Sequence, residues 1–166
     1  MTVARGTVVE LEGVRKMAEG VQGGASSSAA LGRPLRDPGS GQPGWVRWAR
    51  RGYGVLAWLF VACLVVQIFL AGMATFVDAM NWGRHTAFVH VFEYLPLLLL
   101  ALVFAARFPV ALRWLTGSLI VLIVAQYATA RIGGVPAAFH PVSALALFWI
   151  ATYLGQRSWQ LSRADA

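Results

Sequence analysis

Hydrophobic positions along the chain gather into four long runs, set apart by short stretches of arginine, glycine, proline and acid. The runs cover about residues 53–77, 85–107, 113–130 and 140–156. A helix needs roughly 20 apolar residues to cross a bilayer core, and these runs are close to that length. The pattern predicts an all-α fold: a four-helix transmembrane bundle running up-down-up-down, with a disordered N-terminal tail. Pro96 lies inside the second run, where a transmembrane helix tolerates it with a kink. Pro141 sits where a first helical residue is expected. It pushes His140 before it toward extended backbone.

Residues 1–44 differ from everything after them. Gly-Gly-Ala-Ser-Ser-Ser at 23–28 and Asp-Pro-Gly-Ser-Gly-Gln-Pro-Gly at 37–44 are linker chemistry. The segment has little apolar surface and reads as a disordered cytoplasmic tail. It has no apolar h-region of a signal peptide. A start of translation nearer Trp45 is an alternative reading of the same stretch. Trp45, Arg47, Trp48, Arg50 and Arg51 then mark a membrane interface, and residues 158–166 form a short closing tail.

The loops set the orientation. Arg47, Arg50, Arg51, Arg107, Arg113, Arg157 and Arg163 fall on one side, against Arg84 and Arg131 on the other. Seven against two is a positive-inside bias, which predicts a multi-pass protein of the cell membrane with both termini cytoplasmic.

Composition agrees. The chain is 58% hydrophobic and 13% charged, whereas a soluble domain carries about 25% charged residues. The net charge of +7 is nearly all arginine at the ends of apolar runs. With no motif that reads DNA or RNA, this is a topology signal and not a nucleic-acid surface. The partner so implied is the lipid bilayer, with a homodimer or a membrane partner protein as further options. The single cysteine, Cys63, makes no intramolecular disulfide and no cysteine-based zinc site.

Polar residues inside the runs concentrate toward the outer side. His85, His90 and Glu93 lie in the outer part of the second span, Gln126 in that of the third, and His140 with Ser143 at the start of the fourth. Gln67 is deeper, in the first span. The set repeats: Gln-Ile-Phe-Leu-Ala-Gly precedes the second-span histidines, and Gln-Tyr-Ala-Thr-Ala precedes His140. Two hairpins related by an axis along the membrane normal produce such a pattern. His85 and His90 are five apart, about 140° around a helix, so only one of them faces a given point. His90 shares a face with Glu93. Each residue also has a structural reading: His85 as a wet headgroup residue, His140 as a helix-entry residue, His90 with Glu93 as an interhelical hydrogen-bond pair, and the glutamines as packing glue.

No phosphate loop, His-Glu-x-x-His, serine elbow or cysteine pair is present. What remains is imidazole in an apolar bundle, a place for haem. The candidate cofactor-binding set is His85, His90, His140, Gln67, Gln126 and Glu93. His90 and His140 are the candidate metal ligands, and His85 is the alternative to His90.

At these residues the chain resembles two families. Gln67-Ile-Phe-Leu-Ala-Gly72, the spacing His85-x4-His90-x5-Pro96-Leu-Leu-Leu, and Phe139-His140-Pro141-Val142-x-Ala144-Leu145 resemble a family of small bacterial four-helix membrane proteins of unknown function, over about residues 50–157. More distantly, the chain resembles one half of haem A synthase, whose second and fourth helices each open with a histidine that ligates haem near the outer face. That likeness implies His140 as the fourth-helix ligand and His85 or His90 as the second-helix one. The chain lacks that enzyme's glutamate three residues before the first ligand and its external cysteine pair, so the likeness extends to haem binding and leaves catalysis open. The function expected is haem binding. The alternative is a non-catalytic membrane component, an assembly partner or small-ligand binder, whose histidines are structural. A transporter fits four spans poorly unless the protein dimerises.

Overall fold

The computed structural model describes residues 43–164. Helix α1 spans Gly44–Phe76, α2 Asn81–Phe92, α3 Leu95–Ala105, α4 Val110–Ile132, α5 Gly134–Ala137 and α6 Phe139–Arg163. α2 and α3 together make the second membrane span, and α5 leads into the fourth. Among the described residues four spans are long and apolar enough to cross a bilayer. The protein is an integral membrane protein with a four-helix transmembrane bundle. The expected disordered tail lies outside the described residues, apart from Pro43 and Gly44 at its end.

The helices run past the apolar stretches. At about 1.5 Å per residue, the 33 residues of α1 extend about 50 Å, against a hydrocarbon core of about 30 Å. The first turns of α1 therefore carry Trp45, Arg47, Trp48, Arg50 and Arg51 through the interface while keeping their backbone bonds internal. α6 likewise continues through residues 158–163, which were expected as tail. His140 is helical, not extended. Pro141 falls in the first turn of α6, where its missing N–H has no intrahelical acceptor to lose.

Just before Pro96 the helical hydrogen bonding of the span is interrupted. α2 ends at Phe92, Glu93 and Tyr94 form a turn, and α3 restarts with Leu95 and Pro96 in its first turn. Tyr94 O accepts from both Leu97 and Leu98, which re-forms the ladder beyond the break.

Neighbouring spans pack in a ring: the first against the second and fourth, and the third likewise against the second and fourth. Tyr53, Phe60, Leu99, Val103, Leu119 and Leu154 fill the centre, all fully buried. Val65, Phe69, Leu97, Val121 and Trp149 point outward as the lipid-facing surface.

The end of the bundle that holds the starts of α1 and α4 is fastened by arginine. Arg50 Nε donates to Ala106 O at 3.0 Å, and its guanidinium lies over the Phe108 ring. Arg113 Nε donates to Phe108 O at 2.9 Å. Between them Arg107 takes a left-handed conformation, φ 51°. Phe108 N–H bonds Val103 O and Arg107 N–H bonds Phe104 O, a helix-ending motif that usually places glycine at this position. The Arg107 guanidinium sits over the Trp45 ring at 5.2 Å, a contact that glycine lacks.

One hydrogen bond crosses the bundle diagonally from the first span to the third. The Tyr53 hydroxyl lies 2.6 Å from Thr116 Oγ1. Thr116 Oγ1 donates its own proton to Leu112 O, so Tyr53 is the donor to Thr116. The two partners are therefore not equivalent. Tyr53→Phe removes a donor and leaves Thr116 paired, for a loss of about 1 kcal/mol. Thr116→Val strands the buried Tyr53 O–H and costs about 1–3 kcal/mol. Reversible unfolding in mixed detergent micelles measures both, and equal losses would contradict this donor assignment.

Candidate functional site

The outer half of the bundle is built from two copies of one device. Gln67 of α1 faces His85 of α2: Gln67 Nε2 donates to His85 O at 2.9 Å, and His85 Nδ1 lies 3.1 Å from Gln67 O. Gln126 of α4 faces His140 of α6 in the same way, with Gln126 Nε2 to His140 O at 3.1 Å and His140 Nδ1 to Gln126 O at 3.1 Å. Each pair ties the two helices of one hairpin by a side chain from each. The repeat of glutamine, small residues and histidine in the two halves corresponds to this shared geometry.

The chemistry of each pair is fixed by its acceptor. A backbone carbonyl has no proton to give, so each Nδ1 must carry the hydrogen. The imidazole is then the tautomer with a free lone pair on Nε2. The same logic orients the amides: a glutamine that donates to a carbonyl must present Nε2 there, which turns Oε1 away. Gln67 Oε1 and Gln126 Oε1 are both buried and have no hydrogen-bond partner.

The two devices converge. The His85 and His140 rings, from the second and fourth spans on the other diagonal, have centroids 6.5 Å apart and planes tilted by 56°. Both rings are partly buried. The Trp82 ring meets His85 edge-on at 5.5 Å, and Thr129 Oγ1 lies 3.5 Å from His140 Nδ1.

His90 is elsewhere. Its Nδ1 is 3.1 Å from Glu93 Oε1, its ring stacks on Tyr127 at 6.3 Å, and its side chain is 59% exposed. The Tyr127 hydroxyl donates to the other Glu93 oxygen. Thus His85 is the second-span histidine beside His140, while His90 and Glu93 form a separate cluster with Tyr127 on the lipid-facing side. Ser143 bonds only carbonyls of its own helix, Phe139 O and His140 O.

Sequence reasoning gave Tyr127, Trp82 and Thr129 no place in a site. Tyr127 follows Gln126 directly and Thr129 lies one turn before the end of α4, so the signal was adjacency to the glutamine. Trp82 lies one turn before His85, the spacing at which two side chains share a helix face.

The donor set is small. Among the described residues no three of His, Cys, Asp and Glu gather as a metal group. A bare zinc ion is held by three or four protein ligands. Two imidazoles placing a nitrogen about 2 Å from one metal, on opposite sides of it, have ring centres about 6 Å apart. The observed 6.5 Å fits that spacing. A pair of this kind suits a metal that brings its other ligands with it.

Residues 67–133 are similar to a family of unknown function (DUF6220). The matched stretch begins at Gln67 and ends at Gly133, so it includes one whole Gln–His device, the partner glutamine Gln126, and the Glu93–Tyr127 cluster, but stops before His140. That is shorter than the stretch over which the resemblance was expected, and the match names no organism and no activity. No curated protein and no solved structure matches the chain, so the expected likeness to haem A synthase finds no support in these comparisons.

Stability separates a structural from a functional reading of the glutamines. Gln67→Leu or Gln126→Leu gives up one neutral hydrogen bond, worth about 1 kcal/mol, and removes an orphaned buried acceptor whose desolvation costs about 1–3 kcal/mol. Each leucine variant should unfold in mixed micelles at the same denaturant fraction as the parent or a higher one. A loss above about 2 kcal/mol would make the glutamines packing residues first.

Proposed function

We propose that the protein binds haem, which the His85 and His140 side chains would hold. The observation that carries this reading is the pairing itself: two imidazoles 6.5 Å apart, each with Nδ1 tied to a backbone carbonyl. A ligand histidine nearly always donates its other ring N–H in this way, which fixes the tautomer and aims the ring. The absence of a third protein ligand among the described residues favours a macrocycle over a bare ion, since porphyrin supplies four nitrogens of its own. A haem held there would supply one-electron transfer. The chain's own residues supply orientation: Gln67 and Gln126 brace the ligand helices, and Trp82 backs the His85 ring.

Purified after expression with ample haem, the protein should show a sharp Soret band. His85→Ala and His140→Ala should each abolish it, and His90→Ala should leave it. A colourless protein that gives no Soret band on titration with haem would overturn the proposal.

A second reading has its own observation. The reciprocal Gln–His bonds already account for each histidine as interhelical glue, the role polar residues often take in bundles. In that case the protein is a non-catalytic membrane component, whose partner is a second copy or another membrane protein. The haem titration separates the two.

We further infer that the protein lies in the cell membrane with both chain ends in the cytoplasm, because the arginines crowd the end where α1 begins and α6 finishes. A reporter active only in the cytoplasm should work when fused after Ala166 or within 107–109, and should be silent within 77–80. The reverse pattern would invert the orientation.

A further inference from the structure

The arginine-rich end of the bundle carries a crevice that the haem proposal does not use. It encloses about 460 Å³ between α1 and α6 and is lined by Trp58, Gln156, Trp159, Gln160 and Arg163. We propose that it binds one anionic phospholipid, with the phosphate at Arg163 and the upper part of the acyl chains along Trp58.

The chemistry of the lining changes along its length. One wall is the Trp58 indole, laid against Gly155 so closely that a Cβ there would sit 3.2 Å from ring atoms. From Gly155 to Arg163 is eight residues, about 12 Å along a helix. Over that distance the wall passes from indole and glycine, through the Gln156 and Gln160 amides, to a guanidinium at the mouth. A phospholipid presents the same order over a similar distance: acyl chain, ester carbonyls, phosphate.

The polar groups are set to donate. Arg157 Nη1 donates to Gln160 Oε1 at 2.9 Å, which leaves the Gln160 NH₂ for an acceptor. The Arg163 guanidinium lies over the Trp159 ring at 5.6 Å, held at the membrane interface. The only acids among the described residues are Asp78 and Glu93, and neither belongs to this end of the bundle. An arginine near a membrane surface favours an anionic lipid by about five-fold. Trp58 and Trp159 are 42% and 46% exposed, so the crevice opens sideways, where lipid arrives.

Native mass spectrometry of the full chain tests this in micelles containing equal phosphatidylglycerol and phosphatidylcholine. The expected result is one retained phosphatidylglycerol in preference to phosphatidylcholine. Arg163→Gln should lower that retention about five-fold. Trp159→Ala keeps every charge, and with it the topology signals, and should also lower it. Arg131→Gln, at the opposite end of the bundle, should not. Equal retention of the two lipids, or an equal loss with Arg131→Gln, would overturn the proposal. So would displacement by soluble glycerol phosphate at millimolar concentration, which would make the crevice a site for free phosphate.

Discussion

A bilayer core offers no water to a stranded hydrogen-bonding group, so every polar side chain placed there needs a protein partner. The bundle meets this demand along its two diagonals. In one half the Tyr53 hydroxyl reaches from the first span to Thr116 of the third. In the other half His85 and His140 approach from the second and fourth spans, each held to its own hairpin by a glutamine. The first diagonal is closed by a hydrogen bond that uses up both hydroxyls. The second is not closed: each imidazole spends one nitrogen on a carbonyl and keeps the other. The same constraint produces a packing contact in one place and an unsaturated pair in the other.

The glutamines sharpen that contrast. Forced by its carbonyl partner to present Nε2, each leaves a buried Oε1 with nothing to accept from. Native interiors rarely tolerate such an atom without a reason. Leucine at either position would fill the same space without the desolvation cost. Instead the unfavourable choice occurs in both halves and next to the same residue type. Local rules broken in a consistent way are expected where a site has to be held in a set geometry.

The spans were legible because their apolar runs are long, and the all-α bundle follows from them. Helix ends were less so. Hydropathy stops at the hydrocarbon boundary, whereas backbone bonding carries α1 back to Gly44 and α6 on to Arg163. Pro96 announced a distortion, but not that it would fall as a turn at Glu93 and Tyr94, whose backbones stay in the right-handed helical region. Within the site, the repeat of glutamine and histidine was readable as a pattern. The choice between His85 and His90 was not, because a 140° separation says only that they differ, and the facing helix decides which one points inward. Tyr127 was hidden for a related reason. Its acid partner lies 34 residues away on another span, and an aromatic at membrane depth reads first as packing.

The two kinds of histidine also differ in what they are tied to, and the difference bears on chemistry. His90 is braced by the Glu93 carboxylate, whose other oxygen accepts from Tyr127. His85 and His140 are braced by neutral carbonyls, which fix a tautomer without adding negative charge beside it. A metal ligand must be neutral imidazole with a free lone pair, and the tautomer set by each carbonyl leaves that lone pair on Nε2 of both rings. Carbonyl bracing therefore acts alike on the two rings that meet, holding Nδ1 and leaving Nε2 unspent. The bundle thus sets Glu93 beside His90 and away from the pair whose Nε2 atoms stay unspent.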